Sequence, residues 1–208
     1  MSDEIKHECG LAYIRLRKPF SYYLQKRGSV TYGLNKLYLL MEKQHNRGQD
    51  GAGLATLKLN IEAGNPYLYR QRSNAAQPIA DLFYKIGLEV QELEKFQPDI
   101  AKHPGLMKGH LPFMGEILLG HLRYGTQGKN DVEFCHPFIK KDLVPGKNIA
   151  LAGNFNLVNT DELFQHIGFD PGPFEKQSDL AAMMEVIHHF LVKEEAINPN
   201  APNIVNIL

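Results

Sequence analysis

Cys9 is the residue of this 208-residue chain whose type and place most directly indicate chemistry, because it precedes glycine at the start of a strand-like segment. A cysteine in such a place can be a small buried core residue. It can also be a nucleophile, but a free thiol has a pKa of about 8.5, so it needs a base to form thiolate at neutral pH. An α-amino group has a pKa of about 7.7–8.0 and could be that base if residues 1–8 were removed. Composition alone leaves both interpretations open.

Two further residues could bind a polar substrate. Arg123 lies in HLRYGTQG at 121–128, either as an ordinary surface arginine or as the binder of a small carboxylate through its planar guanidinium. Asn154 follows an apolar strand in AGNFN at 152–156. It can occupy a turn, or its amide can donate into an oxyanion hole beside a backbone N–H.

Asp179 follows Ser178 at the predicted start of a helix. An acidic residue in the first turn interacts favourably with the helix dipole, which is a purely structural explanation. The functional alternative is that Asp179 binds the ammonium group of a substrate. Each of these four residues therefore has two interpretations, and none of them decides the function alone.

Other patterns indicate less. Histidine and cysteine, which can both bind metal ions, occur close together as His7 with Cys9 and as Cys135 with His136. Neither pair has the spacing of zinc ligands, so no metal is predicted. His188 and His189 diverge by about 100° on a helix, which predicts a solvated face. The glycine-rich HNRGQDGAG at 45–53 lacks the spacing of a phosphate-binding loop, and no cofactor is predicted.

Composition excludes several classes of protein. The 23 basic and 23 acidic residues balance, and no basic tract favours nucleic acid or an anionic membrane. Two cysteines build no disulfide framework and favour a reducing cytosol. The polar start lacks a signal-peptide pattern, and no apolar run reaches the roughly 18 residues that a membrane span needs. We therefore predict a cytoplasmic protein without nucleic-acid or membrane partners.

The elements that would position the four residues alternate irregularly. Strands are predicted at 9–16, 54–59, 67–71, 116–124 and 148–152, and helices at 30–45, within 79–96, at 160–168, from Ser178 and near 201–202. The nearly all-apolar 148–152 is predicted to be a central strand. Residues 103–115, with two prolines and three glycines, are predicted to be a surface excursion. This order, without a regular βαβ cadence, favours an α+β fold.

Taken in order, the motifs resemble one family, the class II glutamine amidotransferases, whose glutaminase domain is an N-terminal nucleophile hydrolase. The matching segments are CGLA at 9–12, QHNRGQDGAGLA at 44–55, GHLRYGTQG at 120–128, HPF at 136–138, LAGNFNLVN at 151–159 and SDLAAMMEVI at 178–187. Their joint order is far more specific than any one of them. The second segment most resembles the amidophosphoribosyltransferase subfamily, which begins purine synthesis.

The resemblance implies a four-layer αββα sandwich in which Cys9 is the nucleophile, activated by its own α-amine once a leader, residues 1–8, is removed. The Asn154 side chain and the backbone N–H of Phe155 would form the oxyanion hole. Arg47 would support the nucleophile strand rather than touch substrate. Hydrolysis would proceed through a thioester, releasing ammonia and then glutamate.

The resemblance also implies how glutamine binds. Arg123, with Thr126 beside it, would bind the α-carboxylate, and Asp179 would bind the α-ammonium. We therefore expect Cys9, Arg123, Asn154 and Asp179 to converge on one pocket.

On this interpretation, residues 9–208 form one amidotransferase domain that is incomplete at its C-terminus. The predicted partners are L-glutamine and a C-terminal synthase domain that these residues lack, and association of identical chains stays open. With the leader attached, the chain is expected to be an inactive precursor.

The sequence departs from the family at two of these motifs. Asn46 interrupts the usual His-Arg-Gly, and residues 153–156 read Gly-Asn-Phe-Asn where the family has His-Asn-Gly-Asn. Phe155 cannot cheaply hold the positive φ that glycine can. Phe155 and the uncut leader favour an alternative, a catalytically silent regulatory or structural module with the same fold. A third interpretation is a papain-like hydrolase whose base is His121 or His136.

Overall fold

A four-stranded antiparallel sheet organises residues 1–137, the first of two compact units; the second comprises residues 138–208. The computed structural model describes residues 8–62, 64–125 and 131–198. The elements of the first unit are β1 (Gly10–Arg15), α1 (Phe20–Arg27), α2 (Tyr32–Glu42), β2 (Gly51–Leu57), β3 (Leu68–Ser73), α3 (Pro78–Phe96), α4 (Pro104–His110) and β4 (Ile117–Arg123). The four predicted strands of this unit are confirmed, and 79–96 is one helix. Helix α1 was not predicted.

The register of the sheet places the starts of two strands beside the end of a third. The strand order is β1-β4-β2-β3, and every neighbouring pair is antiparallel. Gly10 of β1 pairs with Leu122 of β4, and Gly51 of β2 pairs with Arg123 of β4. Because neighbouring strands run in opposite directions, β1 and β2 begin where β4 ends. One end of the sheet therefore collects Cys9, Gly51 and Arg123.

Helix α2 covers the sheet with the apolar face that its sequence spacing predicts. Leu34, Leu37 and Met41 are spaced i, i+3, i+7 and are all buried. Full burial of each such side chain contributes about 1.5–3 kcal/mol. A Cβ on Gly120 of β4 would lie 2.7 Å from the Met41 sulfur, so glycine at that position lets α2 approach the sheet. The predicted helix over 30–45 is confirmed in the shorter α2.

Residues 103–115 are not the surface excursion that was predicted. Helix α4 lies within them, and four of their side chains are buried in the core: Met107, Leu111, Phe113 and Met114. Pro104 occupies the first turn of α4, where proline is well tolerated. The prediction was wrong because it weighed the prolines and glycines and overlooked the apolar residues between them.

The second unit combines a strand pair with helices. Its described elements are β5 (Phe138–Lys140), β6 (Ile149–Leu151), α5 (Thr160–Ile167), α6 (Pro173–Lys176) and α7 (Asp179–Ile197). Strands β5 and β6 are antiparallel, and their inner residues Phe138 and Ile149 pack with Leu180 and Met184 of α7. The strand predicted at 148–152 is confirmed as β6, which pairs with β5 alone among the described strands, and its central place stays a prediction.

Two predicted helix signals of the second unit are confirmed. Gly168 ends α5 in the left-handed conformation, with a φ of 64°. Ser178 caps α7, where its Oγ accepts a 3.3 Å hydrogen bond from the N–H of Ala181. The predicted helix near 201–202 lies outside the described residues.

The α+β prediction is confirmed as a combination of helices with antiparallel sheets. Within residues 8–62, 64–125 and 131–198, no helix is both long enough and apolar enough to cross a membrane.

Candidate active site

Cys9 and Arg123 lie at the same end of the first unit's sheet. Gly10 pairs with Leu122, so the residue before Gly10 and the residue after Leu122 are neighbours across β1 and β4. Cys9 carries a free, half-buried thiol. Arg123 is only 5% exposed. A burial this deep does not fit an ordinary surface arginine, which was one of its two interpretations.

The amide of Gln44 holds the strand that begins after Cys9. β1 is an edge strand, so Leu11 turns its N–H and C=O away from the sheet. Oε1 of Gln44 accepts from the Leu11 N–H, and Nε2 of Gln44 donates to the Leu11 carbonyl, each over 3.2 Å. This side chain therefore replaces a missing neighbouring strand beside the candidate nucleophile.

Arg47 contacts the residue that precedes Cys9. Its Nη2 lies 2.8 Å from Oε2 of Glu8, and both side chains are about half exposed. An exposed ion pair of this kind contributes about 0–1 kcal/mol. Arg47 thus touches the chain next to the nucleophile strand, and its supporting role stays a prediction.

Asp50 and Gly48 fix the backbone around Arg123. The N–H of Asp50 donates to the Arg123 carbonyl over 3.1 Å, and Oδ2 of Asp50 accepts a 2.8 Å bond from the N–H of Gly125. A Cβ on Gly48 would lie 2.7 Å from the carbonyl carbons of Leu122 and Arg123, so only glycine fits there without displacing β4. Thr126, which was predicted to assist Arg123, lies outside the described residues.

Residues 131–134, which we call the strap, hold the guanidinium of Arg123. Its Nη1 donates to the carbonyl of Asp131 over 3.1 Å, and its Cζ lies 5.7 Å from the centre of the Phe134 ring. A guanidinium between a carbonyl and a ring face keeps a defined orientation.

The glycines of β2 make room for the residues after the strap. A Cβ on Gly51 would collide with the sulfur of Cys135, and one on Gly53 would collide with the carbonyl of His136. Burial raises the pKa of the Cys135 thiol, and the positive charge of Arg123 opposes that shift. A buried thiol with a raised pKa carries little thiolate near neutral pH, which leaves Cys9 as the better nucleophile of the two.

The two histidines of the papain-like interpretation pack on each other. His121 is buried, and its ring centre lies 4.4 Å from that of His136. This contact gives each ring a structural role inside the first unit.

The second unit brings three predicted residues into one neighbourhood. Asn154 and Phe155 lie in the irregular segment after β6, and Asp179 is the first residue of α7. Oδ2 of Asp179 accepts a 3.0 Å hydrogen bond from the N–H of Leu157, which ties that segment to the helix. Asp179 is half-buried.

The backbone of Phe155 does not have the positive φ that would strain a non-glycine residue. Among the described residues, Asn60 alone of the non-glycines has a positive φ, so Phe155 has an ordinary backbone. Its ring lies against Gly153, where a Cβ would collide with it. The bulk of Phe155 is thus accommodated by the glycine that replaces the family's histidine.

The chain is similar in sequence to known proteins. No protein-family model matches the chain. The amidophosphoribosyltransferase of Methanocaldococcus jannaschii is 31% identical over 84% of the chain, and that of Methanothermobacter thermautotrophicus is 25% identical over 95% of it. Over most of its length the chain is similar to these amidophosphoribosyltransferases. The predicted resemblance to class II glutamine amidotransferases is thereby confirmed.

The chain spans 29% and 32% of the length of these two amidophosphoribosyltransferases. A solved glutamine phosphoribosylpyrophosphate amidotransferase from Bacillus subtilis is 22% identical, covering 88% of this chain and 29% of its own, with a TM-score of 0.45. A structure described as the allosteric regulatory enzyme of purine biosynthesis is also 22% identical, covering 91% and 32%, with a TM-score of 0.49. The kinship rests on the sequence relatives rather than on these superpositions.

The predicted site residues fall into two groups. Cys9 and Arg123 belong to the first unit, and Asn154, Phe155 and Asp179 belong to the second. Their convergence on one pocket stays a prediction.

Sequence reasoning missed the residues that hold the site and misplaced one histidine. Gln44 and Asp50 lie inside the recognised 44–55 motif, so their type and place were a signal that could have been used. His188 was predicted on a solvated face, but its Nε2 lies 2.9 Å from Oδ2 of Asp142 and its side chain is 18% exposed. That prediction was wrong because α7 is covered on this side by the segment after β5.

Proposed function

We propose that the chain is the glutamine-hydrolysing part of a class II amidotransferase, with Cys9 as its nucleophile. The observation that carries the proposal is the sheet register, which puts Cys9 beside the buried Arg123. Ammonia would pass to a synthase domain, as in the first step of purine synthesis. The similarity to amidophosphoribosyltransferases, of whose length this chain spans 29% and 32%, supports this part of the proposal.

In the proposed complex, glutamine is bound at both ends of its amino-acid group. Arg123 binds the α-carboxylate, because a buried guanidinium donates strong charge-assisted hydrogen bonds to two oxygens. The assisting role of Thr126 that the resemblance implies is part of the same proposal. Asp179 binds the α-ammonium. Its carboxylate has two oxygens, and Oδ2 already accepts from Leu157, so Oδ1 is the natural partner of the ligand.

The proposed reaction needs the α-amine of Cys9, which exists only after residues 1–8 are removed. That amine takes the thiol proton, and the sulfur attacks the carboxamide carbon. The Asn154 amide and the N–H of Phe155 stabilise the resulting oxyanion. The amine then returns its proton to the leaving nitrogen, which departs as ammonia and leaves a thioester. Water hydrolyses the thioester to glutamate and restores the thiol.

The finer architecture is part of the same proposal. It is the four-layer αββα sandwich that the resemblance to class II glutamine amidotransferases implies. The kinship with much longer amidophosphoribosyltransferases supports this arrangement.

A second candidate function is the silent module, which Phe155 favours because it stands where the family has glycine. The ordinary backbone of Phe155 weakens that case, since no strained conformation distinguishes it. The two candidates differ in whether glutamate is released.

Glutamate release from three samples tests the proposal: the chain beginning at Cys9, the same chain with Cys9→Ala, and the uncut chain. We expect turnover from the first alone. Turnover by the uncut chain would favour the papain-like mechanism, and no turnover from any sample would favour the silent module. A glutamine analogue with an electrophile in place of the amide should modify Cys9 and spare the buried Cys135.

A further inference from the structure

The strap is a single turn with few bonds of its own. The carbonyl of Asp131 accepts from the N–H of Phe134 over 3.2 Å as well as from Arg123. Oδ1 of Asp131 accepts a 2.8 Å bond from the N–H of Glu133. A 3₁₀ turn of three residues is weakly determined by itself, so its place depends on contacts from outside. The orientation of Arg123 depends on the strap in turn.

Arg72 of β3 provides such a contact. Its Nη1 donates to the carbonyl of Glu133 over 2.9 Å, and its Nη2 lies 3.0 Å from Oε2 of the same residue. The Arg72 side chain is only 11% exposed, whereas that of Glu133 is 61% exposed. Two bonds from one planar guanidinium to the same residue fix direction as well as distance. The buried partner of this pair is therefore the anchor, and the strap is what it anchors.

Gly53 of β2 leaves space for the side chain of Arg72. Arg72 pairs with Gly53 across β3 and β2, and a Cβ on Gly53 would lie 3.3 Å from Cγ of Arg72. A side chain at Gly53 would crowd the arginine stem where it passes over β2. Arg72 on one side and Arg123 on the other thus both donate to the strap.

We infer that Arg72 is a positioning residue for Arg123, acting through Glu133 and Asp131 to set the affinity for the carboxylate of the substrate. This rests on the proposed function. Arg72 holds Glu133, Asp131 holds the N–H of Glu133, and the Asp131 carbonyl orients the Arg123 guanidinium. Because the carboxylate of glutamine lies away from the amide that reacts, a misdirected Arg123 weakens binding equally before and during reaction. Such a loss raises KM and leaves kcat unchanged.

The test compares variants of the chain beginning at Cys9. Arg72→Ala is expected to raise KM for glutamine about tenfold with kcat within about twofold. Arg72→Lys keeps the positive charge but loses the planar, two-pronged guanidinium, so its KM should lie between that of the parent and that of Arg72→Ala. Glu133→Ala keeps the carbonyl that Arg72 also binds and should raise KM by less than Arg72→Ala. The matched control is Arg70→Ala, which removes the same charge from the same face of β3 and should leave KM unchanged.

Two further measurements keep a failure of the inference separate from a failure of the proposed function. Calorimetric binding of glutamine is measured on the Cys9→Ala chain with and without Arg72→Ala, and hydrogen exchange is followed over residues 131–136. If Arg72→Ala weakens glutamine binding and speeds hydrogen exchange over residues 131–136, the inference is supported. A parent chain without turnover would contradict the proposed glutaminase activity but not the inference. Unchanged KM and binding despite faster exchange would overturn the inference, as would an equal effect of Arg70→Ala. A Cys9→Ala chain that binds no glutamine would overturn both.

Discussion

The backbone N–H of Gly125 donates a 2.8 Å hydrogen bond to Oδ2 of Asp50, which lies 75 residues earlier in the chain. Asp50 also donates its own N–H to the carbonyl of Arg123. One residue therefore ties down both ends of the short segment that leads from β4 into the predicted glutamine site.

Replacing Asp50 should loosen this segment. We expect Asp50→Ala to raise KM for glutamine about tenfold, since a hydrogen bond to a charged group contributes about 1.5–3 kcal/mol. Asp50→Asn keeps an acceptor oxygen and should lose less. Steady-state glutaminase kinetics measure both, with the exposed Asp99→Ala as control. A wild-type KM in a folded Asp50→Ala variant would contradict the role assigned to this carboxylate.

The predicted convergence of the two groups of site residues can be tested directly. A crystal structure with a glutamine analogue bound to Cys9 should place Arg123 and Asp179 within about 12 Å of the Cys9 sulfur, because glutamine is short and both of its ends need partners. Larger separations in that complex would rule out a shared pocket.

Phe155→Gly tests whether the bulky residue limits catalysis. Phe155 has no positive φ, so glycine relieves no strain and only makes the segment more flexible. We expect kcat to stay the same or fall, measured on the chain beginning at Cys9. A marked rise in kcat would show that the phenylalanine handicaps the oxyanion hole and would strengthen the silent-module interpretation.

Acid should destabilise the second unit through Asp142. Its pKa is held below the ordinary value by the hydrogen bond from the N–H of Val144 and then by His188. A carboxyl with a depressed pKa in the folded state stabilises that state above its unfolded pKa of about 3.9 and loses this contribution as pH falls through the folded value. Thermal melts below about pH 4 should therefore depend less on pH in Asp142→Asn than in the parent. The exposed Asp170→Asn is the control, and an equal change in both variants would contradict the assignment.

The sequence by itself determined the local elements and the kinship. The apolar spacing of Leu34, Leu37 and Met41 predicts α2, and Ser178 and Gly168 mark helix ends correctly. The order of short motifs from Cys9 to the 178–187 segment predicts the family. These signals are readable because helix period, capping and turn preferences depend on residues close together in the chain.

Only the tertiary structure decided which residues hold the predicted site. Gln44 beside Leu11, Asp50 beside Gly125 and Arg72 beside Glu133 each join residues more than 30 positions apart. Strand register and close packing at glycines bring such residues together, and neither is visible in the spacing of a single sequence. The same reason explains why residues 103–115 were misjudged: their burial depends on what packs against them, not on their own composition.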